Sequence, residues 1–129
     1  MTNKLLGAWS LEKVYAKDDN NQTTYPLGIK PKGLLIYTEN KMSGAIKLSE
    51  ELLNNKNYNN IESFLYYNGS YEINNNQVIH YVELSNQIDW EHRKLIRKFK
   101  IINPSIVEIK SEEILGDTKY KMIYTWSKC

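Results

Sequence analysis

The chain has 129 residues, of which 41% are hydrophobic and 25% charged; these are the values of one ordinary globular domain and exclude collagen-like, coiled-coil and wholly disordered chains. Seventeen basic and 15 acidic residues leave a formal charge of +2, far from the one-sided excess that duplex-binding proteins use to neutralise phosphates, so no nucleic-acid partner is expected. The single cysteine, Cys129, allows no internal disulfide. No signal-like apolar run opens the chain and no stretch of about 18 apolar residues occurs, so a cytoplasmic protein without a membrane span is expected.

The apolar residues recur mostly with a period of two, in short runs cut by turn residues, which is an all-β pattern. A first strand is predicted over Leu6–Ala16, followed by a polar loop and an irregular segment in which Pro26 and Pro31 forbid ladder pairing. Gly33–Thr38 and Lys41–Lys47 read as a hairpin turning at Glu39-Asn40. Ser49 followed by Glu50 and Glu51 is a helix-start signal, so a short helix is expected within the asparagine-rich insertion up to Ser63. Phe64–Ile73 and Gln77–Ser85 form a second hairpin around Asn74-Asn75-Asn76. The remaining strands are predicted at Lys94–Ile102, Ser105–Lys110 and Lys119–Lys128, with Asn103-Pro104 as the turn between the first two.

Eight sequence-adjacent antiparallel strands would leave two open edges, and closing the last strand onto the first removes both. The expected fold is therefore all-β: an eight-stranded antiparallel up-and-down β-barrel, as one domain over residues 1–129. A barrel of this size holds packed side chains or one small ligand. Alternation then assigns the inner face: Leu95, Arg97, Phe99 and Ile101 against three lysines in one strand, and Tyr120, Met122, Tyr124 and Trp126 in the last. It also places Leu65, Tyr67, Gly69, Tyr71 and Ile73 inside, with Val78, His80, Val82 and Leu84 facing them. Ten tyrosines against two phenylalanines make this interior partly polar, since a buried phenol needs a hydrogen-bond partner.

Six segments, taken in order, resemble a known family. Leu5-Leu6-Gly7-Ala8-Trp9 is similar to the Gly-x-Trp opening strand of lipocalin-like barrels. The hairpin Gly33–Ser43, the strand Tyr67-Asn68-Gly69-Ser70-Tyr71-Glu72 and the strand Val78-Ile79-His80-Tyr81-Val82-Glu83 resemble elements of the small bacterial and fungal lipocalin-like domain. So do Trp90 with Arg97, and the closing Tyr124-Thr125-Trp126. Asn40 stands where the family hairpin has glycine, and no proline precedes Trp90. The resemblance implies a cavity for a small apolar or amphipathic ligand.

Among individual residues, Trp9 and Trp126 read as packing that plugs one end. His80 is a buried histidine of either structural or catalytic use, and His92 a solvated one. Arg97 stays charged inside a barrel and must find a carboxylate or several acceptors, so it is either paired internally or an anchor for a ligand oxygen. The ligand-binding candidates are Tyr67, Tyr71, His80, Arg97, Phe99, Met122 and Tyr124, and the catalytic candidates His80 and Arg97. Two histidines without a third ligand at suitable spacing do not form a metal site, and no nucleophile elbow, phosphate-binding loop or dinucleotide fingerprint occurs, so no metal or cofactor is expected. Three functions remain open: binding of one small hydrophobic or amphipathic molecule, a cofactor-free isomerase or cyclase holding a natural-product-like substrate in the same cavity, or an interaction domain with a filled core. The cavity is expected to open opposite Trp9, with the 49–63 segment near its mouth, and self-association is left open.

Overall fold

The computed structural model describes residues 3–55, 64–115 and 117–129. Their elements are β1 (Gly7–Lys17), β2 (Thr23–Thr24), β3 (Lys32–Tyr37), β4 (Lys41–Lys47), α1 (Glu50–Asn55), β5 (Phe64–Asn74), β6 (Gln77–Ser85), a 3₁₀ turn (Ile88–Trp90), β7 (Lys94–Asn103), β8 (Ile106–Leu115) and β9 (Thr118–Lys128). Strands β1 and β3 to β9 are each antiparallel to the next, and β9 returns to pair with β1 from Trp9 against Lys128 to Lys17 against Lys121. The result is a closed eight-stranded antiparallel barrel. Closure satisfies the backbone groups that two sheet edges would otherwise expose. The short β2 lies outside this ring, adding two residues to the last part of β1.

The lengths follow from local chemistry. The β3–β4 turn is clamped by Thr38, whose amide donates to the Lys41 carbonyl at 2.8 Å and whose Oγ1 accepts from the Lys41 amide at 3.0 Å. Asn75 makes the β5–β6 turn with φ of 57°, a backbone state asparagine tolerates. Strand β8 runs to Leu115, further than the expected Lys110, because it pairs with β9 along its whole length. Helix α1 starts after Ser49, whose hydroxyl is bonded to the Glu51 carboxylate. Glu51 Oε1 also accepts from the Ile29 amide at 2.9 Å, tying α1 to the proline-containing segment. Gly28 there has φ of +90° and sits where a Cβ would collide with Ser49.

Alternation orients most strands, but Ile79 beside His80 and Ile123 beside Met122 are buried as well, and Ile73, expected inside, is 38% exposed. In β1 the buried residues are Trp9, Leu11, Val14 and Ala16, and the change of spacing after Leu11 coincides with a register shift between Leu11 and Lys13. The bulge inserts one residue and keeps the same face inward. In β6 a second bulge corrects the expected inner face. Asn68 pairs with Leu84 but the next residue, Gly69, pairs with Val82, so Glu83 is skipped and Leu84 turns outward, 57% exposed. Gly69 allows that bulge, because a Cβ on it would lie 1.8 Å from the Tyr81 carbonyl oxygen.

The packed core gathers Leu5, Trp9, Leu11, Val14, Tyr37, Met42, Val78, Val107 and Met122. Burying each of the larger side chains stabilises the fold by about 1.5 to 3 kcal/mol. The Trp9 indole donates to the Leu5 carbonyl at 2.9 Å, and the Lys128 ammonium lies 4.7 Å from its ring centre. Trp9 is therefore packing, held at both its polar and its π face. Among the described residues, Ser111 Oγ is the buried side-chain polar atom without a hydrogen-bond partner, and no helix is long and apolar enough to cross a membrane.

Candidate functional site

The interior is not filled. A cavity of about 70 Å³, set in about 580 Å³ of empty space that includes open solvent, lies between β3, β4, β5, β6, β7, β8 and β9. Its apolar wall comes from Leu35, Ile46, Leu65, Ile109 and Trp126, with Trp90 of the 3₁₀ turn beside them. Gly44, without a side chain, leaves part of the space open. Ile46 and Leu65 stand where β4 leaves, and β5 rejoins, the insertion that contains α1. Of the expected cover over 49–63, residues 56–63 lie outside the described residues.

The polar part of the wall is Tyr67, His80, Arg97 and Tyr124. Each is delivered by strand alternation: Tyr67 from β5, His80 from β6, Arg97 from β7 and Tyr124 from β9. The remaining expected ligand contacts are elsewhere. Tyr71 faces inward but its hydroxyl donates to the Thr38 carbonyl at 2.5 Å and accepts from Asn3 Nδ2 at 2.7 Å, so it fastens the N-terminal segment to the β3–β4 turn. Met122 belongs to the packed core and Phe99 packs against it. Sequence reasoning missed two neighbours of the polar cluster. Tyr37 is one, although the Gly33, Leu35, Tyr37 alternation already put it inside; Trp90 is the other, and a turn residue carries no periodicity that could have marked it.

His80 is clamped between two phenols. Tyr37 OH lies 2.7 Å from its Nε2, and Tyr67 OH lies 2.8 Å from its Nδ1. The rings themselves stack loosely, with Tyr37 and Tyr67 centred 5.7 and 5.6 Å from the imidazole and Tyr67 5.9 Å from Trp90. Burial first, and then the nearby Arg97 charge, depress the His80 pKa to about 3. The imidazole is therefore neutral at physiological pH, with both nitrogens engaged.

The phenols are shifted the other way. Burial pushes Tyr67 up to about 12, against the opposing pull of the Arg97 guanidinium through its charge and its hydrogen bonding. Tyr37 is raised well above the ordinary tyrosine value by its complete burial, then by the neighbouring phenols Tyr67 and Tyr71. Arg97 itself is half-buried, and among the described residues no carboxylate lies within ion-pair distance of it. A guanidinium so placed has five donors, from which Tyr67 takes a hydrogen bond. The site can therefore hold an oxygen acceptor. Its histidine is held in the neutral form near neutral pH. Among the described residues, no group of three His, Cys, Asp or Glu side chains could hold a metal ion.

Closed barrel, Gly-x-Trp opening strand and interior arginine occur together here, and the profile of the lipocalin-like domain matches residues 6–129. The chain belongs to the lipocalin-like domain family. No curated protein matches this lipocalin-like chain. Among solved structures, a redesigned beta barrel is similar over 98% of this chain and 92% of its own, with 10% identity and a TM-score of 0.48.

Proposed function

We propose that this lipocalin-like barrel binds one small hydrophobic or amphipathic molecule in its cavity. The observation that carries the reading is a mostly apolar wall interrupted at one place by Arg97, a guanidinium with no carboxylate partner among the described residues. Apolar walls supply affinity and a few convergent polar groups fix orientation, which is the usual division of labour in ligand pockets. Arg97, Tyr67 and Tyr124 take the polar end of the ligand and His80 acts through Tyr67. Tyr71, Phe99 and Met122 support the core beside the cavity.

The competing isomerase or cyclase reading needs a group that gives or takes a proton near pH 7. His80 at about 3 and Tyr67 at about 12 both lie far from that range, so the electrostatics favour binding. The test is titration with an environment-sensitive fluorescent fatty acid, followed by displacement with octanoate. Saturable one-to-one binding that octanoate competes for is the expected result. Absence of saturable binding at millimolar octanoate overturns the reading.

A further inference from the structure

The charge of this chain is unevenly spread, although 17 basic residues nearly balance 15 acidic ones. Strand β7 turns Lys94, Lys98 and Lys100 outward, β8 adds Lys110 and β9 adds Lys121, each of them exposed. Strand pairing brings them onto one face. Lys98 stands directly opposite Lys110, and Lys121 directly opposite Lys17 of β1. Among the described residues the carboxylates on this face are Glu108, 3.5 Å from Lys110, and Glu112, 2.9 Å from Lys119. Glu12 and Lys13 at its margin offset each other. Seven lysines thus meet two glutamates within three neighbouring strands and the end of β1.

Like charges directly opposite one another destabilise a sheet. Lysine often sits on a sheet edge to block strand addition, but this ring is closed and β7, β8 and β9 each have a neighbour on both sides. Solubility asks for mixed signs, not one sign gathered on one face. Folding therefore gives no reason for the cluster, whereas an anionic surface does. We propose that this face docks the barrel on a membrane surface rich in anionic lipid head groups, without any segment spanning the bilayer. Two features favour lipid over nucleic acid. The cations of the face are all lysines, compact point charges suited to a fluid array of head groups, with no arginine fork among them for bidentate phosphate recognition. Ile96, between Lys94 and Lys98, is 49% exposed, an apolar tip that a lipid interface takes up and a sugar–phosphate backbone does not. The docking is independent of what the cavity holds.

The test is co-sedimentation of the full chain with phosphatidylcholine vesicles containing about one-third phosphatidylserine, with pure phosphatidylcholine vesicles as the reference. Wild type should sediment with the anionic vesicles alone, and salt at about 0.5 M should release it, because the screening length then falls to a few ångströms. Lys98→Gln combined with Lys110→Gln should weaken binding about 25-fold, at about fivefold per lysine. The same variant should melt no lower than wild type, since a repulsive pair is gone. Lys32 and Lys47 form the same kind of opposed pair on the far side of the ring, between β3 and β4. Lys32→Gln combined with Lys47→Gln therefore makes an equal change in net charge and should leave vesicle binding unchanged. Absent or equal binding to the two kinds of vesicle, equal losses in the two double variants, or a lower melting temperature in the first overturns the proposal. So does tighter binding to a single-stranded oligonucleotide or to polyglutamate than to vesicles of the same total charge, which would assign the face to a nucleic acid or to an acidic protein.

Discussion

Replacing Arg97 with methionine separates an anchor for ligand from a structural cation. The side chain keeps its length and apolar stem and loses its charge and donors. In the folded protein the guanidinium is half-buried, lines the cavity and has no carboxylate partner among the described residues. Taking such an unpaired charge out of a protein interior removes a desolvation cost, so stability should hold or rise. Bound octanoate would lose a charge-assisted hydrogen bond, about 1.5 to 3 kcal/mol, which corresponds to a roughly 10- to 150-fold weaker dissociation constant. Arg97 also contributes to the low pKa of His80, so the variant should show that pKa move upward. Thermal unfolding, calorimetric titration and histidine NMR on one preparation report all three. A clear loss of stability together with unchanged octanoate affinity would refute the reasoning and make Arg97 a structural residue.

Acid should destabilise the fold through His80. Its folded pKa of about 3 lies below the unfolded value of about 6.5, so its contribution is complete above pH 6.5 and is lost as pH falls toward 3. The ceiling is about 5 kcal/mol, and urea titrations should show this pH slope flattened in His80→Gln. Tyr67, held at about 12, works in the opposite direction: its contribution is complete below about pH 10 and lost as pH rises toward 12. Ultraviolet titration should therefore find Tyr37 and Tyr67 ionising after the exposed tyrosines. Gly69→Ala should cost about 3 kcal/mol or more, since its Cβ would sit 1.8 Å from the Tyr81 carbonyl oxygen; a melting temperature close to wild type would contradict the bulge geometry. Gly44→Leu should leave a folded barrel that no longer binds octanoate. A Cβ at Gly44 comes no nearer than 3.3 Å to the flexible end of Leu35, and the longer side chain then occupies the cavity.

Most of the barrel was legible because most strands keep one face largely in water. Lys94, Lys98 and Lys100 alone orient β7, and with it Arg97. The limits of β4 and β6 fall where the turn residues place them. What alternation cannot show is a bulge, because an inserted residue leaves composition unchanged and reverses every assignment beyond it. Leu84 was misplaced for that reason, and the only trace in the sequence lay on the partner strand, in Gly69. The two-residue β2 was invisible within a polar loop, since two ladder pairs need no apolar pattern. At the site, Tyr67, His80, Arg97 and Tyr124 each followed from the period of their own strand. Their convergence did not, because strand pairing and barrel curvature, not spacing along the chain, bring them to one wall.

The division of the interior explains why this chain uses tyrosine where many cores use phenylalanine. Trp9, Val14, Val78 and Val107 are fully buried and supply stability without any hydrogen-bonding demand. Tyr37 and Tyr67 instead bring hydroxyls to the boundary between that packed region and the cavity, where each hydroxyl meets a nitrogen of His80. Phenylalanine at either position would keep the apolar packing but leave an imidazole nitrogen unsatisfied in a low-dielectric wall, a penalty of about 1 to 3 kcal/mol. The histidine and its two phenols therefore stand or fall together.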